Sequence, residues 1–260
     1  MDDAGGYAYL DAMKWLSPLL ALAFSVTTLP AASAGEASTG ADERPVLVEL
    51  FTSQGCGLCP EANRYLGELD QRENVFVLAY AVSYWDMYGW TDTYARPEYV
   101  QRQRTYLPRL GVPRLYTPHF VVDGVTDAPG WEQDAVAHAV EDRLTAMPDS
   151  PVITISDGPF GSFRVGLDGE APEAELDVWL VAYAPGWATV QVRAGENSGL
   201  DMLQYNMVKS LTYLGNWAGG PASFTGESFR RYATVAIVQG ANGGPVYGYA
   251  RVAPSETPGR

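Results

Sequence analysis

The hydrophobic pattern of this chain changes its period once, near residue 150. Upstream, continuous apolar runs alternate with segments of helical spacing. Pro45 introduces PVLVELF, an apolar run with a single acid, which predicts a strand buried on both faces. Glu61 to Gln71 places Ala62, Tyr65, Leu66 and Leu69 at helical spacing, and Asn74 to Val82 is again a buried strand. This succession predicts a parallel β-α-β unit with a right-handed crossover. Pro97 to Leu107 reads as a helix with Tyr99, Val100 and Tyr106 on one side. His119 to Val122 is a strand, which Asp123-Gly124 turns tightly into Val125 and Thr126. Trp131 to Met147 is an amphipathic helix ended by Pro148.

From Ser150 onward the period becomes that of strands. VITIS, SFRVGL, AELDVWLVAYA, ATVQVRA, NMVKSLTYLG and YATVAIVQ are separated by Gly, Pro, Asp and Asn, and predict a sandwich-like all-β domain. At the other end, MKWLSPLLALAFSVTTLPAASA from Met13 to Ala34 has the charged start, apolar middle and small-residue cleavage site of a secretory signal. Its apolar run is shorter than the roughly 18 to 20 residues needed to cross a bilayer. The acids Asp2, Asp3 and Asp11 do not fit such a signal, so the expected translation start is Met13. The expected organisation is a signal peptide over 1–34 and a flexible lead-in over 35–44. An α/β domain over 45–149 follows, with a helical aromatic-rich insertion at about 83–112, and then a β domain over 150–260. The protein is expected to be exported, periplasmic or extracellular, with peripheral or no membrane contact.

Charge and composition narrow the chemistry. Seventeen basic residues against 31 acidic ones give a net charge of −14, which phosphate backbones repel, so nucleic acid is not an expected partner. With two histidines and two cysteines in the whole chain, a zinc site of three or four Cys/His ligands is nearly excluded, and at most one bridge can form, so there is no disulfide framework. Both cysteines, Cys56 and Cys59, fall in one C-x-x-C, where the first strand feeds the first helix. A bridge across so short a loop stabilises by only roughly 2 kcal/mol and ties no distant elements together. Redox chemistry explains the spacing better. Free N–H groups and the positive end of a helix favour thiolate, which makes Cys56 the nucleophile. Cys59, within reach of it, would resolve a mixed disulfide. Exchange of this kind needs Cys56 perched at the helix tip rather than sealed in the interior.

With VLVELF, CGLC and the downstream GVPRLYTPHFVVDG, the chain resembles the thioredoxin superfamily. The resemblance implies a thioredoxin-like fold for the α/β domain and a cis peptide at Thr117-Pro118 facing the cysteines, where an extended substrate pairs. It also implies that Glu49 stands where that superfamily carries a buried acid relaying protons to the resolving cysteine; this chain has Glu rather than Asp and one extra residue in the turn. ELFTSQGCGLCPEA, YWDMYGW, YTPHFVVDG, GENSG and SLTYLGNW are similar to an exported bacterial family known mainly as a domain of unknown function. That family joins a thioredoxin-like domain to a C-terminal β domain. Its members often carry His and Asp just before the Tyr-Trp-Asp string, where this chain has Ala81 and Ser83, and a Gln where it has His119.

In YWDMYGWTD, Trp85, Asp86 and Trp90 are candidates for a binding wall capping the sulfurs, although aromatics so spaced also build cores. Arg96, Arg102, Arg104, Arg109 and Arg114 form the only basic stretch and read as a solvated helix face. His138 reads as a surface or packed histidine. GxSxG, GxGxxG and GxxxxGK are absent from the sequence. Two functions follow. The first is a thiol–disulfide oxidoreductase without a cofactor, acting on a protein or small-molecule thiol or disulfide. The second is a thioredoxin-like binding protein without redox turnover, holding a ligand or a soft metal such as Cu(I) on the two thiolates with a third donor such as His119.

Overall fold

The first long strand, β2 (Val46–Thr52), is buried along its whole length, because both of its faces are covered. Val46, Val48 and Leu50 pack against helix α1 (Cys59–Leu69) and helix α3 (Gln133–Thr145). Leu47 and Phe51 point the other way, toward helix α2 (Pro97–Leu110). Parallel to β2 runs β3 (Val75–Ala81), in register from Val46↔Val75 to Thr52↔Ala81. On its other side lies the antiparallel hairpin of β4 (His119–Val122) and β5 (Thr126–Pro129). The turn between them puts Asp123 and Gly124 at φ of +49° and +67°, the left-handed region that Asp and Gly tolerate best. The Asp123 carboxylate binds Arg44 and Arg143 and accepts the Leu47 N–H, so the turn is tied to the start of β2. The computed structural model describes residues 37–39, 44–172 and 175–254. The expected signal peptide and most of the lead-in lie outside these residues, as do 173–174 and the last six.

Strands of the C-terminal part are divided between this sheet and a second one. They are β6 (Val152–Asp157), β7 (Ser162–Asp168), β8 (Leu176–Gln191), β9 (Asp201–Trp217), β10 (Ala222–Glu227), β11 (Ala233–Gly240) and β12 (Val246–Val252). β9 meets β3 at Ala79↔Met207, so one eight-stranded sheet runs β12-β11-β8-β9-β3-β2-β4-β5. Ala37–Thr39 forms β1, the edge strand of a second sheet ordered β1-β6-β7-β10. Ile153, Ile155, Val165 and Leu167 of this sheet bury against Leu176, Val178, Leu180, Ala236 and Val238 of the large one. Sheet and core cross the point near residue 150 where the change of period placed a domain boundary. Period alone separates the two halves, but β3 offers an open edge that β9 fills. Among the described residues, no helix is long and apolar enough to cross a membrane.

The 83–112 segment holds a short 3-10 helix (Ser83–Tyr88) and α2. Arg96 before Pro97 is extended, as a residue preceding proline prefers, and α2 ends at Gly111 with φ +68°.

The feature that matters most for the site is the length of the β8–β9 hairpin. Beyond the bulges at Ala182/Tyr183 and Ala184/Trp187 it leaves the sheet and crosses α1. Trp187 lies so close against Gly67 that an added Cβ would collide with the indole, and Tyr205 donates to Asp70 at 2.8 Å. Its tip, between Gln191 and Asp201, comes down on the turn that carries the cysteines.

Candidate functional site

Six residues, Ser53 to Leu58, carry the chain from β2 into α1. The turn is braced from within: the Cys56 N–H donates to the Ser53 carbonyl, the Cys59 N–H to the Cys56 carbonyl, and the Gly55 N–H to Ser53 Oγ. Leu58 caps α1 without a side-chain hydrogen bond, which leaves the N–H groups of the first turn to a nearby anion. The Cys56 sulfur accepts from the N–H groups of Leu58 and Cys59 there. Its thiol is held below the ordinary range, first because Cys59 donates its S–H to it, with the Thr117 hydroxyl and the N–H groups of Leu58 and Cys59 adding to the effect against burial. Cys59 is pushed well above the ordinary range by burial, and further by giving its proton to Cys56. The two sulfurs are unbridged, and their acidities are pushed in opposite directions.

Cys59 has its own support. Asn63, one turn further along α1, donates from Nδ2 to Thr52 Oγ1 at 2.7 Å and to the Cys59 carbonyl at 2.8 Å. Thr52 thus accepts from Asn63 and offers its hydroxyl proton to Cys59, easing the second sulfur toward thiolate. Across from the pair, Thr117-Pro118 is cis, and Gly130 packs so tightly on Pro118 that a Cβ there would lie 2.6 Å from its ring.

The aromatic segment walls the pair. Trp85 and Trp90 pack against the cluster of Cys56, Cys59, Val192 and Met202. Trp85 Nε1 donates to Thr117 Oγ1 at 2.7 Å, and Trp90 Nε1 donates to Gln54 Oε1 at 2.9 Å. Asp86 makes no wall: its carboxylate accepts the Asp92 N–H and shapes the loop. Asp92 in turn accepts the N–H of Gln54 at 2.7 Å, and burial raises its carboxyl to about 6.

Four of the expected placements change here. Cys56 is only 1% exposed, where exchange calls for an open sulfur at the helix tip. Glu49 alternates onto the α2 face of β2, opposite Cys59, so it does not reach the sulfurs. Its carboxylate is held by Arg102 at 2.6 and 3.0 Å and by the Tyr106 hydroxyl. Arg102 is accordingly buried rather than part of a solvated face. His119 also faces away, between the rings of Phe51 and Tyr116. Gln103 Nε2 donates to its Nδ1 at 3.1 Å, which places the ring proton on Nε2, 3.3 Å from Asp127. It offers no third ligand beside Cys56 and Cys59. Among the described residues, no cluster of three His, Cys, Asp or Glu side chains is placed to hold a metal.

Nothing in the hydrophobic pattern anticipates the cover over Cys56. Asn197 Nδ2 donates to the carbonyls of Gln54 and Cys56 at 2.9 and 2.8 Å, and the Glu196 carboxylate accepts the Gly57 N–H at 2.8 Å. Both residues belong to GENSG. That string carries part of the family resemblance, but its only physical signal is a polar, glycine-bounded loop.

A sulfur pair at a strand-to-helix turn, set on a mixed sheet and covered by a distant hairpin, defines the class. The chain belongs to the family described as proteins of unknown function (DUF1223), whose profile matches residues 47–247. The crystal structure of protein AGR_C_4864 from Agrobacterium tumefaciens is similar, with a TM-score of 0.67 and 25% identity, over 85% of this chain and 99% of that one. HBP35 of Porphyromonas gingivalis shares the fold with a TM-score of 0.51 at 17% identity, over 85% of this chain and 80% of that one. No curated protein matches the chain.

Proposed function

We propose that this protein is an exported thiol–disulfide oxidoreductase whose residues 45–149 form a thioredoxin-like domain. The observation that carries the reading is the unequal pair: Cys56 held toward thiolate and Cys59 held protonated beside it. The strand order β3-β2-β4-β5, the cysteines at the start of α1 and the cis Thr117-Pro118 bond support the domain assignment. The signal-like sequence from Met13 to Ala34 supports export.

In the reductive direction the Cys56 thiolate attacks one sulfur of a substrate disulfide. A mixed disulfide forms on Cys56 and the other substrate sulfur leaves as thiolate. Cys59 then passes its proton to the departed substrate thiolate, its own thiolate eased by the Thr52 hydroxyl, and attacks Cys56 Sγ. The Cys56–Cys59 disulfide forms, and the second substrate thiolate departs. Two electrons pass from the protein to the substrate; the oxidative direction is the reverse.

The burial of both sulfurs favours a second reading, in which the dithiol binds a soft metal such as Cu(I) or idles without turnover. A redox titration against glutathione, run with and without Cu(I), separates the two. A reversible two-electron transition lost in Cys56→Ser, with no copper retained, is the expected result. A dithiol inert to glutathione, or one that keeps stoichiometric copper, would refute the oxidoreductase reading.

A further inference from the structure

Nothing in a β-α-β unit requires its dithiol to be shut, yet here a loop from about 140 residues downstream in the sequence shuts it. Residues 192–200, the tip of the β8–β9 hairpin, lie across the Cys56 turn. Val192 and Met202 pack against the sulfurs, and both are buried. The polar contacts are few. Asn197, itself buried, makes two hydrogen bonds to carbonyls of the turn; Glu196, exposed, makes one to Gly57 N–H. A Cβ on Gly57 would stand 2.8 Å from that carboxylate, so the loop sits directly on the residue after Cys56.

The loop is also self-contained. Its neck is closed by Val192 N–H to the Leu200 carbonyl at 2.9 Å and Gly199 N–H to the Val192 carbonyl at 2.8 Å. Inside, Ser198 N–H bonds the Gly195 carbonyl and Leu200 N–H the Asn197 carbonyl. Gly195 and Gly199 take φ of +76° and +86°, which only glycine adopts without strain. A loop satisfied by its own backbone can leave the turn as a body, breaking three hydrogen bonds and none of its own. Around it, Leu58, Met87, Tyr88 and Leu200 are exposed.

We propose that the 192–200 loop is the access gate of the dithiol and that Asn197 is its latch. The gate rests on the oxidoreductase reading only for its purpose; its opening and closing concern the accessibility of Cys56 whatever the chemistry. When it is closed, the thiolate meets no substrate, and when it lifts, the Cys56 carbonyl and the Gly57 N–H are freed together with the sulfur. Asn197 acts through the turn and is a positioning residue.

The test is the rate at which iodoacetamide alkylates Cys56 in the reduced full-length chain, with the site of labelling read by mass spectrometry. Removing two buried hydrogen bonds in Asn197→Ala is expected to raise that rate by about ten-fold or more. Glu196→Gln, which keeps an acceptor but loses the charge at the helix start, should give a smaller rise. Hydrogen exchange supplies the control: the amide of Gly57 should exchange faster in Asn197→Ala, and those of Gly199, bonded within the loop, and of β2 should not. Equal alkylation rates in native and Asn197→Ala protein would overturn the gate. So would faster labelling accompanied by loosened β2 amides, since the acceleration would then come from unfolding. Faster labelling with no glutathione exchange in any variant would leave the gate standing and remove the oxidoreductase reading.

Discussion

Trp85 Nε1 donates to the hydroxyl oxygen of Thr117, which leaves the threonine proton to be offered to the Cys56 sulfur. The aromatic segment and the cis-proline loop thus meet in one relay that ends on the thiolate. An accepting hydroxyl is a better donor in turn, so Trp85 acts on Cys56 without touching it.

Thr117→Val keeps the shape and removes the relay. A hydrogen bond to a charged group contributes about 1.5 kcal/mol or more, so the Cys56 thiolate fraction at neutral pH should fall about ten-fold. The pH profile of alkylation reads this directly, with an inflection below an ordinary thiol's in the native chain and a higher one in the variant. An unmoved inflection would show that the hydroxyl does not support the thiolate.

Glu49 gives the opposite expectation. It is buried against Arg102 and Tyr106 on the α2 face of β2, with the sheet between it and the sulfurs. Glu49→Gln leaves the buried guanidinium without its counter-charge, which costs about 3–5 kcal/mol of stability. Chemical denaturation should show that loss while the alkylation profile of Cys56 stays in place. A shifted profile in a folded Glu49→Gln protein would restore the acid to the redox site.

These residues also show what the sequence can reveal. β2 and β3 are legible because a strand covered on both faces must be apolar throughout, and Pro60 within the first turn of α1 marks where the cysteines enter a helix. The partner of Glu49 is legible in principle: an acid inside an apolar run needs a buried cation, and Arg102 shares a helical stripe with Tyr99 and Tyr106. The cover is not. Alternation identifies β8 and β9 as strands but says nothing of how far they overshoot the sheet. The contacts of Asn197 with Gln54 and Cys56 span more than 140 residues. A single ladder pair, Ala79↔Met207, decides that the two halves share a sheet.

Gly130 holds the proline loop at its distance from α1. Its N–H donates to the Pro118 carbonyl at 2.9 Å, and a Cβ would lie 2.6 Å from Pro118 Cγ and 2.9 Å from Ala62 Cβ. Neither a proline ring nor a buried helix methyl can swing aside. Gly130→Ala should therefore destabilise the fold by about 1–3 kcal/mol and push the Thr117-Pro118 loop away from α1, taking the Thr117 hydroxyl off Cys56. Denaturation and the alkylation rate of Cys56 check both effects. A variant of native stability would show that the loop has slack that the packing denies.

Asp92 makes stability depend on pH in a direction unusual for an acid. Burial raises its carboxyl from 3.8 to about 6, although the N–H groups of Gln54, Tyr94 and Ala95 hold it down and Asp86 adds to the rise. Between these values the folded chain keeps a proton that the unfolded chain has released. The stabilisation from this group is full below about pH 4 and is lost by about pH 6, a change of roughly 3 kcal/mol. Other carboxylates titrate in the same range, so the quantity to measure is the difference in unfolding free energy between native protein and Asp92→Asn across that window. The difference should move in favour of the asparagine chain as the pH rises, because the native chain alone must ionise a buried group. A flat difference would mean that the carboxylate is well satisfied when charged. Because Asp92 accepts the N–H of Gln54, two residues before Cys56, the same titration should also appear in the Cys56 alkylation rate. The ionised acid grips that N–H more strongly, and the turn that presents the sulfur tightens as the pH rises through about 6.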